Sequence, residues 1–154
     1  MNNGPNITGN PLRIAVGLLA ASYVIGEFII SKYPLIYAFN LIGILGLILS
    51  TFVFISGFNM FKSYDENPLP SSTTDRIIKT GIFAYTRNPI YLSIIMFFLS
   101  MFLVFENVMY FLSAVGLTIW LHNYVIKSEE NFLINKFPGE YDLYMKAVKR
   151  WIFF

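Results

Sequence analysis

Apolar side chains form four long runs separated by short polar segments, at residues 12–30, 34–58, 90–105 and 108–126. A helix needs about 20 mainly apolar residues to cross the hydrocarbon core of a bilayer. The first, second and fourth runs reach about that length, and the third is slightly shorter. The pattern therefore predicts an all-α fold, an integral membrane protein with about four transmembrane helices.

The breaks between these runs indicate how the helices connect. Only Glu106 and Asn107 separate the third run from the fourth, and so short a connection predicts a tight antiparallel hairpin. In the first run, Glu27 lies near the following Lys32, and we expect it to have a structural role at the membrane interface. The first run has no clear small-residue cleavage site after it, so we interpret it as a helix of the mature chain.

The cationic residues are distributed very unevenly. With four spans, one side of the membrane carries ten Lys and Arg residues and the other carries only Lys32. Because cytoplasmic segments retain an excess of Lys and Arg, this asymmetry places both termini in the cytoplasm. The membrane would be the cell membrane in a prokaryote or the endoplasmic reticulum in a eukaryote.

Composition supports a membrane location and excludes other classes. Charged residues make up 13% of the 154-residue chain, hydrophobic residues 56%, and the mean hydropathy is +0.59; soluble domains carry about 25% charged residues. The absence of cysteine excludes disulfides and thiolate metal ligands, and no metal site is predicted. The net charge of +2 is too small to indicate nucleic-acid binding.

Two cytoplasmic segments, the loop 62–89 and the tail 127–154, are too long to be simple connections. The loop ends at Asn88 and Pro89, which suit the N-cap and first position of a helix. In the tail, four residues recur at helical spacing and predict a short amphipathic helix on the membrane surface: Tyr141, Tyr144, Val148 and Trp151. We expect Trp151 and the terminal Phe153 and Phe154 to anchor it there.

The predicted hairpin brings together groups that are distant in sequence. The entry of the third helix, Arg87 to Tyr91, must lie beside the exit of the fourth, where Glu129 and Glu130 follow one another. His122 is seven residues before Glu129, which places both on one face of a continuous helix. Aromatic rings and both signs of charge suit a zwitterionic, partly aromatic ligand, and these residues alone do not identify it.

Two segments resemble a known family. GIFAYTRNPIYLS, residues 81–93, is similar to the G-x-Y-x-x-x-R-H-P-x-Y-x-G signature of the isoprenylcysteine carboxyl methyltransferase and phospholipid methyltransferase superfamily. EENFLINKFPGEYDLYMKAVKRW, residues 129–151, resembles the closing pattern of that superfamily, E-E-x-x-L-x-x-x-F-G-x-x-Y-x-x-Y-x-x-x-V-x-R. The two motifs occur in the family order with a helical hairpin between them, and together they cover about the C-terminal half of the chain.

The resemblance implies a membrane methyltransferase that uses S-adenosylmethionine at the cytoplasmic boundary. We assign the family's cofactor-binding positions to the matching residues of this chain and add the second carboxylate of the Glu pair. The candidate cofactor-binding residues are Ile77, Ile78, Phe83, Arg87, Asn88, Pro89, Ile90, Tyr91, Glu129 and Glu130. Aromatic faces such as those of Tyr91 and Phe83 would stabilise a cationic methyl donor. No catalytic base is assigned, because a displacement at a sulfonium mainly requires alignment and exclusion of water.

The chain departs from the family pattern at three positions that bear on chemistry. Phe83 replaces a Tyr and lacks its hydroxyl, and Asn88 replaces a His and does not titrate near neutral pH. Val125 occupies the position where eukaryotic isoprenylcysteine enzymes carry a substrate-binding Arg, which argues against an isoprenylcysteine carboxylate as substrate. The only histidine, His122, has either a structural or a substrate-side role.

The resulting hypothesis is methyl transfer to a lipid or small hydrophobic acceptor, such as a phospholipid amine, a thiol or an isoprenylcysteine-like carboxylate. We expect the acceptor to enter sideways from the bilayer; protein partners are not predicted. A nicotinamide-dependent membrane reductase of related architecture is one alternative, although such enzymes are usually larger. A membrane scaffold without catalytic activity is the other.

Overall fold

The computed structural model describes residues 4–5, 7, 9–30, 32 and 34–152. Within them the chain is helical, without strands, so the all-α prediction is confirmed. Six α-helices follow one another in the chain: α1 Pro11–Phe28, α2 Tyr37–Ser63, α3 Pro89–Phe105, α4 Val108–Trp120, α5 Lys127–Lys136 and α6 Glu140–Ala147. A 3-10 turn, Gly81–Ala84, precedes α3, and a π-helical segment, Leu121–Ile126, joins α4 to α5.

In the part of the chain that the structure describes, three helices are long and apolar enough to cross a membrane: α1, α2 and the continuous helix Val108–Lys136. The apolar α3 is shorter, at 17 residues, or about 26 Å at 1.5 Å per residue. Beyond Ser63, which is five residues past the predicted end of α2, the chain leaves the helix and enters the polar loop.

Helix α3 lies at the centre of the bundle, between α2 and α4, and α1 packs on α4. Small residues of α2 allow the close approach of α3: a Cβ atom added at Gly43 would lie 2.9 Å from the Cβ of Leu103, and one at Gly57 would lie 2.9 Å from Ile90. Small residues have this function in many membrane bundles because they let helix backbones come close.

The ends of the helices are fixed by polar contacts at both sides of the bundle. The Asn10 side chain caps α1 by accepting hydrogen bonds from Leu12 N and Arg13 N, at 3.0 and 3.3 Å. Glu106 ends α3 in the left-handed conformation, with φ of 56°, and its carboxylate accepts a hydrogen bond from Leu35 N. The Lys32 ammonium lies 3.0 Å from the Glu27 carboxylate, so the expected structural role of Glu27 is observed as an ion pair.

The C-terminal tail forms the short helix α6, and the residue predicted to anchor it, Trp151, is buried in the bundle. Trp151 is only 5% exposed and belongs to the hydrophobic core together with Leu121, Val125 and Phe98. The anchor role of Trp151 was therefore wrong, because its ring fills the bundle end between α3 and the π-helical segment. Phe153 and Phe154, the other two predicted anchors, lie outside the described residues.

Candidate cofactor cavity

A cavity opens at the end of the bundle where α3 begins and α5 ends the long helix. It encloses about 790 Å³ of empty space, part of it open to solvent. Its walls come from the end of α2, the polar loop, the 3-10 turn, the segment that leads into α3, and helices α5 and α6. Seven predicted cofactor-binding residues line it: Ile77, Ile78, Phe83, Arg87, Asn88, Glu129 and Glu130.

An ion-pair network forms one wall of this cavity. The Glu130 carboxylate lies 3.0 Å from Nη2 of Arg87 and accepts a hydrogen bond from Nε of Arg150 at 3.0 Å. A second contact joins Nη2 of Arg150 to the other carboxylate oxygen. The hydrogen bond with Glu130 raises the pKa of Arg150. Because a buried carboxylate is tolerated when it is fully paired, Glu130 is a bridge between the tail and the start of α3.

Arg87 has hydrogen-bonding capacity that the protein does not use. Its side chain is 9% exposed, and only Nη2 reaches Glu130. The Nε and Nη1 atoms are buried and have no hydrogen-bond partner among the residues that the structure describes. Unpaired buried donors are rare and costly in folded proteins, and these two belong to a residue that lines the cavity. They therefore represent donor capacity that an acceptor atom of a ligand would satisfy.

The second carboxylate has a separate partner. Tyr91, which is 8% exposed, donates a hydrogen bond from its hydroxyl to Oε1 of Glu129 at 2.6 Å. Glu129 lines the cavity, whereas Tyr91 is not among its wall residues. Tyr91 therefore orients the carboxylate from behind the wall.

Aromatic residues form the part of the cavity nearest α6. The rings of Phe61 and Phe83 meet edge to face at 5.5 Å, and those of Tyr141 and Tyr144 at 5.9 Å. The Tyr144 hydroxyl donates to the Phe83 carbonyl at 2.7 Å. Burial raises the pKa of Tyr141 and of Tyr144, so both hydroxyls remain protonated donors at neutral pH.

The tail is tied directly to the segment that enters α3. Arg87 N donates to the Lys149 carbonyl at 3.0 Å, and the Thr86 hydroxyl donates to the Arg150 carbonyl at 3.0 Å. Asn88 occupies the N-cap position of α3 but makes no capping bond; its side-chain amide instead donates to the Arg150 carbonyl at 3.1 Å. The capping role predicted for Asn88 is therefore wrong, because that side chain holds the tail.

His122 is not on the face of Glu129. Its Nε2 lies 3.0 Å from Nη1 of Arg150. Glu130, eight residues further on, contacts the same arginine. The reason is the π-helical segment Leu121–Ile126, which adds one residue to the turn and shifts the helical register by about 100°. The predicted alignment with Glu129 was wrong, and His122 is not among the residues that line the cavity.

Three further predicted residues lie next to the cavity and do not line it. Pro89 is buried at the first turn of α3, Ile90 packs against Gly57 of α2, and Tyr91 acts through Glu129. Sequence reasoning missed several wall residues, among them Pro5, Asn67, Thr74, Phe132 and Leu133. The spacing of Phe132 and Leu133 after the Glu pair was a usable signal, since residues three and four positions apart share a helix face.

Comparison with known proteins identifies a family. A family model described as phospholipid methyltransferase matches residues 39–140, which is more than half of the chain. The matched range runs from α2 to the first residue of α6 and contains Arg87, Glu129 and Glu130. No curated protein and no solved structure matches the chain significantly.

Proposed function

The chain belongs to the phospholipid methyltransferase family and is a multi-pass membrane methyltransferase; from this premise we propose that it uses S-adenosylmethionine to methylate a lipid acceptor. The single observation that carries the choice of cofactor is Arg87, a cavity-wall residue with two buried donors that have no partner among the described residues. The cavity also has carboxylates and aromatic rings and opens at the end of the membrane helices.

The residues of the cavity fit the parts of S-adenosylmethionine. Arg87 would bind its carboxylate through a guanidinium donor that Glu130 does not occupy, because charge-assisted hydrogen bonds from arginine to carboxylates are strong. Glu129 would accept hydrogen bonds from its amino or hydroxyl groups. Ile77, Ile78 and Phe83 provide an apolar and aromatic wall for the adenine ring. When bound there, the cofactor supplies an electrophilic methyl group on a sulfonium.

The contribution of the protein is mainly binding and alignment. The Arg87–Glu130–Arg150 network keeps the Arg87 side chain fixed, and the Tyr91 hydroxyl orients Glu129. Fixed geometry lowers the entropic cost of bringing two reactants together. Aromatic side chains around the mouth exclude water, which favours a reaction with an electrophilic donor. We assign no catalytic base.

The acceptor is a lipid, and a phospholipid amine is the first candidate. Val125 is fully buried within the hydrophobic core, so no cation at that position receives an isoprenylcysteine carboxylate. The Lys and Arg excess at the cavity end of the bundle supports a cytoplasmic cavity and cytoplasmic termini. The cofactor would then enter from the cytoplasm and the acceptor from the bilayer.

The test is a binding and transfer assay on the protein purified in detergent. Calorimetry should detect S-adenosylmethionine, and Glu129→Ala should weaken binding at least tenfold. Glu140→Ala is a matched control, because Glu140 is an exposed helical carboxylate paired with Lys79 at 2.6 Å. Methyl-labelled cofactor with phosphatidylethanolamine vesicles and with total lipid extract then identifies the acceptor.

Two results would contradict the proposal. If nicotinamide cofactors bind and S-adenosylmethionine does not, the chain is a reductase of related architecture. If neither binds, the fold is retained as a scaffold.

A further inference from the structure

A second cavity lies within the bundle, between α1 and the α2–α3 pair. It encloses about 710 Å³ of empty space, part of it open to the surroundings of the bundle, and no charged side chain lines it. Ala15, Val16 and Leu19 of α1 form one wall, and Phe54, Ile94 and Phe97 belong to the opposite wall. We name this space the α1–α3 cleft.

The hydroxyl groups in the cleft are not free to bind a polar ligand. Ser50 and Thr51 both donate to the Leu47 carbonyl, at 2.9 and 2.8 Å, and Ser93 donates to the Ile90 carbonyl at 2.6 Å. Their donor capacity is therefore used within their own helices. A cavity with this lining favours hydrocarbon over water, because a buried water molecule needs two to four polar partners.

The cleft is open towards the bilayer. Helix α1 packs mainly on α4, which leaves a gap between α1 and α2. Val16 lines the cleft and is still 65% exposed, and Thr51 on the facing helix is also exposed. Since these residues belong to helices that are apolar enough to span a membrane, the neighbouring medium at the opening is lipid.

One face of α3 connects residues of the cleft with Tyr91, which lies next to the cofactor cavity. Ile94 and Phe98 follow Tyr91 at three and seven residues, the spacing of a single helix face, and both line the cleft. The distance along the axis from Tyr91 to Phe98 is about 10 Å. Tyr91 in turn contacts Glu129 in the wall of the cofactor cavity.

We propose that the α1–α3 cleft binds one hydrocarbon chain of the lipid acceptor and directs the polar end of that lipid to Tyr91 and Glu129. This inference rests on the proposed methyl transfer to a lipid. The cleft sets the depth of the acceptor in the membrane, and the chain beyond Phe98 remains in the bilayer.

Photolabelling tests the occupant. The full chain is reconstituted in phosphatidylethanolamine vesicles that carry a diazirine in the middle of one acyl chain, and the adducts are mapped by mass spectrometry. Adducts at Leu19 and Phe97 should exceed those at Leu45 and Phe52 at least fivefold. Leu45 and Phe52 are matched controls because they are 66% and 63% exposed on α2 and do not line the cleft.

A variant that fills the opening provides an independent test. Val16→Trp should reduce the adducts at Phe97 at least fivefold and slow methyl transfer to the lipid extract by a similar factor, with unchanged affinity for S-adenosylmethionine. Val24→Trp is the control, since Val24 is 51% exposed on the same helix away from the cleft. Both side chains face the lipid, so neither substitution should disturb folding.

The outcomes separate this inference from the proposed function. Uniform labelling of cleft and outer residues, in a protein that binds S-adenosylmethionine, means bulk lipid only and overturns the cleft alone. Enriched labelling in a protein that does not bind S-adenosylmethionine overturns the acceptor role. Enriched labelling together with slower transfer by Val16→Trp supports the proposal.

Discussion

At the scale of single residues, Arg87 differs from the other cations of the loop. Ten Lys and Arg residues occur on the same predicted side of the membrane, and their number alone explains only orientation. Arg87 is nearly buried and pairs with Glu130 through one nitrogen, and its two other nitrogens have no partner in the described part of the chain. Such donors cost stability, and this cost supports the proposed role of Arg87 in binding a ligand.

Arg87→Lys separates the two functions of this side chain. Lysine preserves the charge beside Glu130 but does not supply the planar set of donors. We expect the affinity for S-adenosylmethionine to fall about 10- to 100-fold, the magnitude of one or two lost charge-assisted hydrogen bonds. Calorimetry measures this change. Arg76→Lys is the control: Arg76 lines the same cavity with a 59% exposed side chain, and its replacement should change affinity less than threefold.

The sequence predicts the neighbourhood of Arg87 and the two carboxylates correctly, because the connection between the helices determines it. The hairpin required Arg87 to approach Glu129 and Glu130, and the structure places all three around one cavity. The partner of each carboxylate was not predictable, because Glu130 meets Arg150 only after the tail folds back. For the same reason the bond from Asn88 to the Arg150 carbonyl was invisible to a local capping rule.

At the scale of elements, the π-helical segment decides which carboxylate has which partner. It aligns His122 with Glu130 and Arg150 and so allows Glu129 to face Tyr91 and the cavity. Nothing in the residues Leu121–Ile126 distinguishes a π turn from an α turn, since the preference comes from the contacts that the extra residue makes possible. Such turns occur frequently at functional sites.

Deletion of Asn123 tests this role of the π-helical segment. Asn123 is exposed and bonds only within its own helix and to Lys127 among the contacts described, so its loss should restore α-helical register without opening the core. The following residues then rotate by about 100°, and we expect S-adenosylmethionine binding to fall more than tenfold while the protein remains folded in detergent. Asn123→Ala, which preserves the length, should bind normally. Normal binding by the deletion variant would contradict the role of the π turn.

The contact between α2 and α3 gives a second prediction at this scale. A Cβ atom at Gly46 would collide with the Ser100 hydroxyl, so Gly46→Leu should separate the two helices and destabilise the protein by about 1–3 kcal/mol. The midpoint of thermal unfolding in detergent measures the effect. Gly17→Leu on α1 is the matched control, because nothing lies within 4 Å of an added Cβ there; an equal loss in both variants would argue against a specific packing effect.

At the scale of the whole molecule, a polar cavity lies at one end of an apolar helical bundle, and the loop and the tail complete its walls. The helices and their order were predictable, because a bilayer requires apolar runs of a defined length. The position of the tail was not predictable, because a tryptophan such as Trp151 suits both a membrane surface and a packed core. Only the space between α3 and the π-helical segment, which forms through tertiary packing, decides between the two.

The orientation of the molecule in the membrane determines from which compartment the cofactor arrives, and it is directly testable. Because the chain contains no cysteine, single-cysteine variants react with a membrane-impermeant maleimide without background. Ile36 is 68% exposed between α1 and α2, and Lys146 is exposed on α6 beside the cavity end. In spheroplasts, Ile36→Cys should react immediately and Lys146→Cys only after permeabilisation, as the excess of Lys and Arg requires. The reverse pattern would place the cavity outside, where a cytoplasmic methyl donor does not reach it, and would remove the basis for the proposed cofactor.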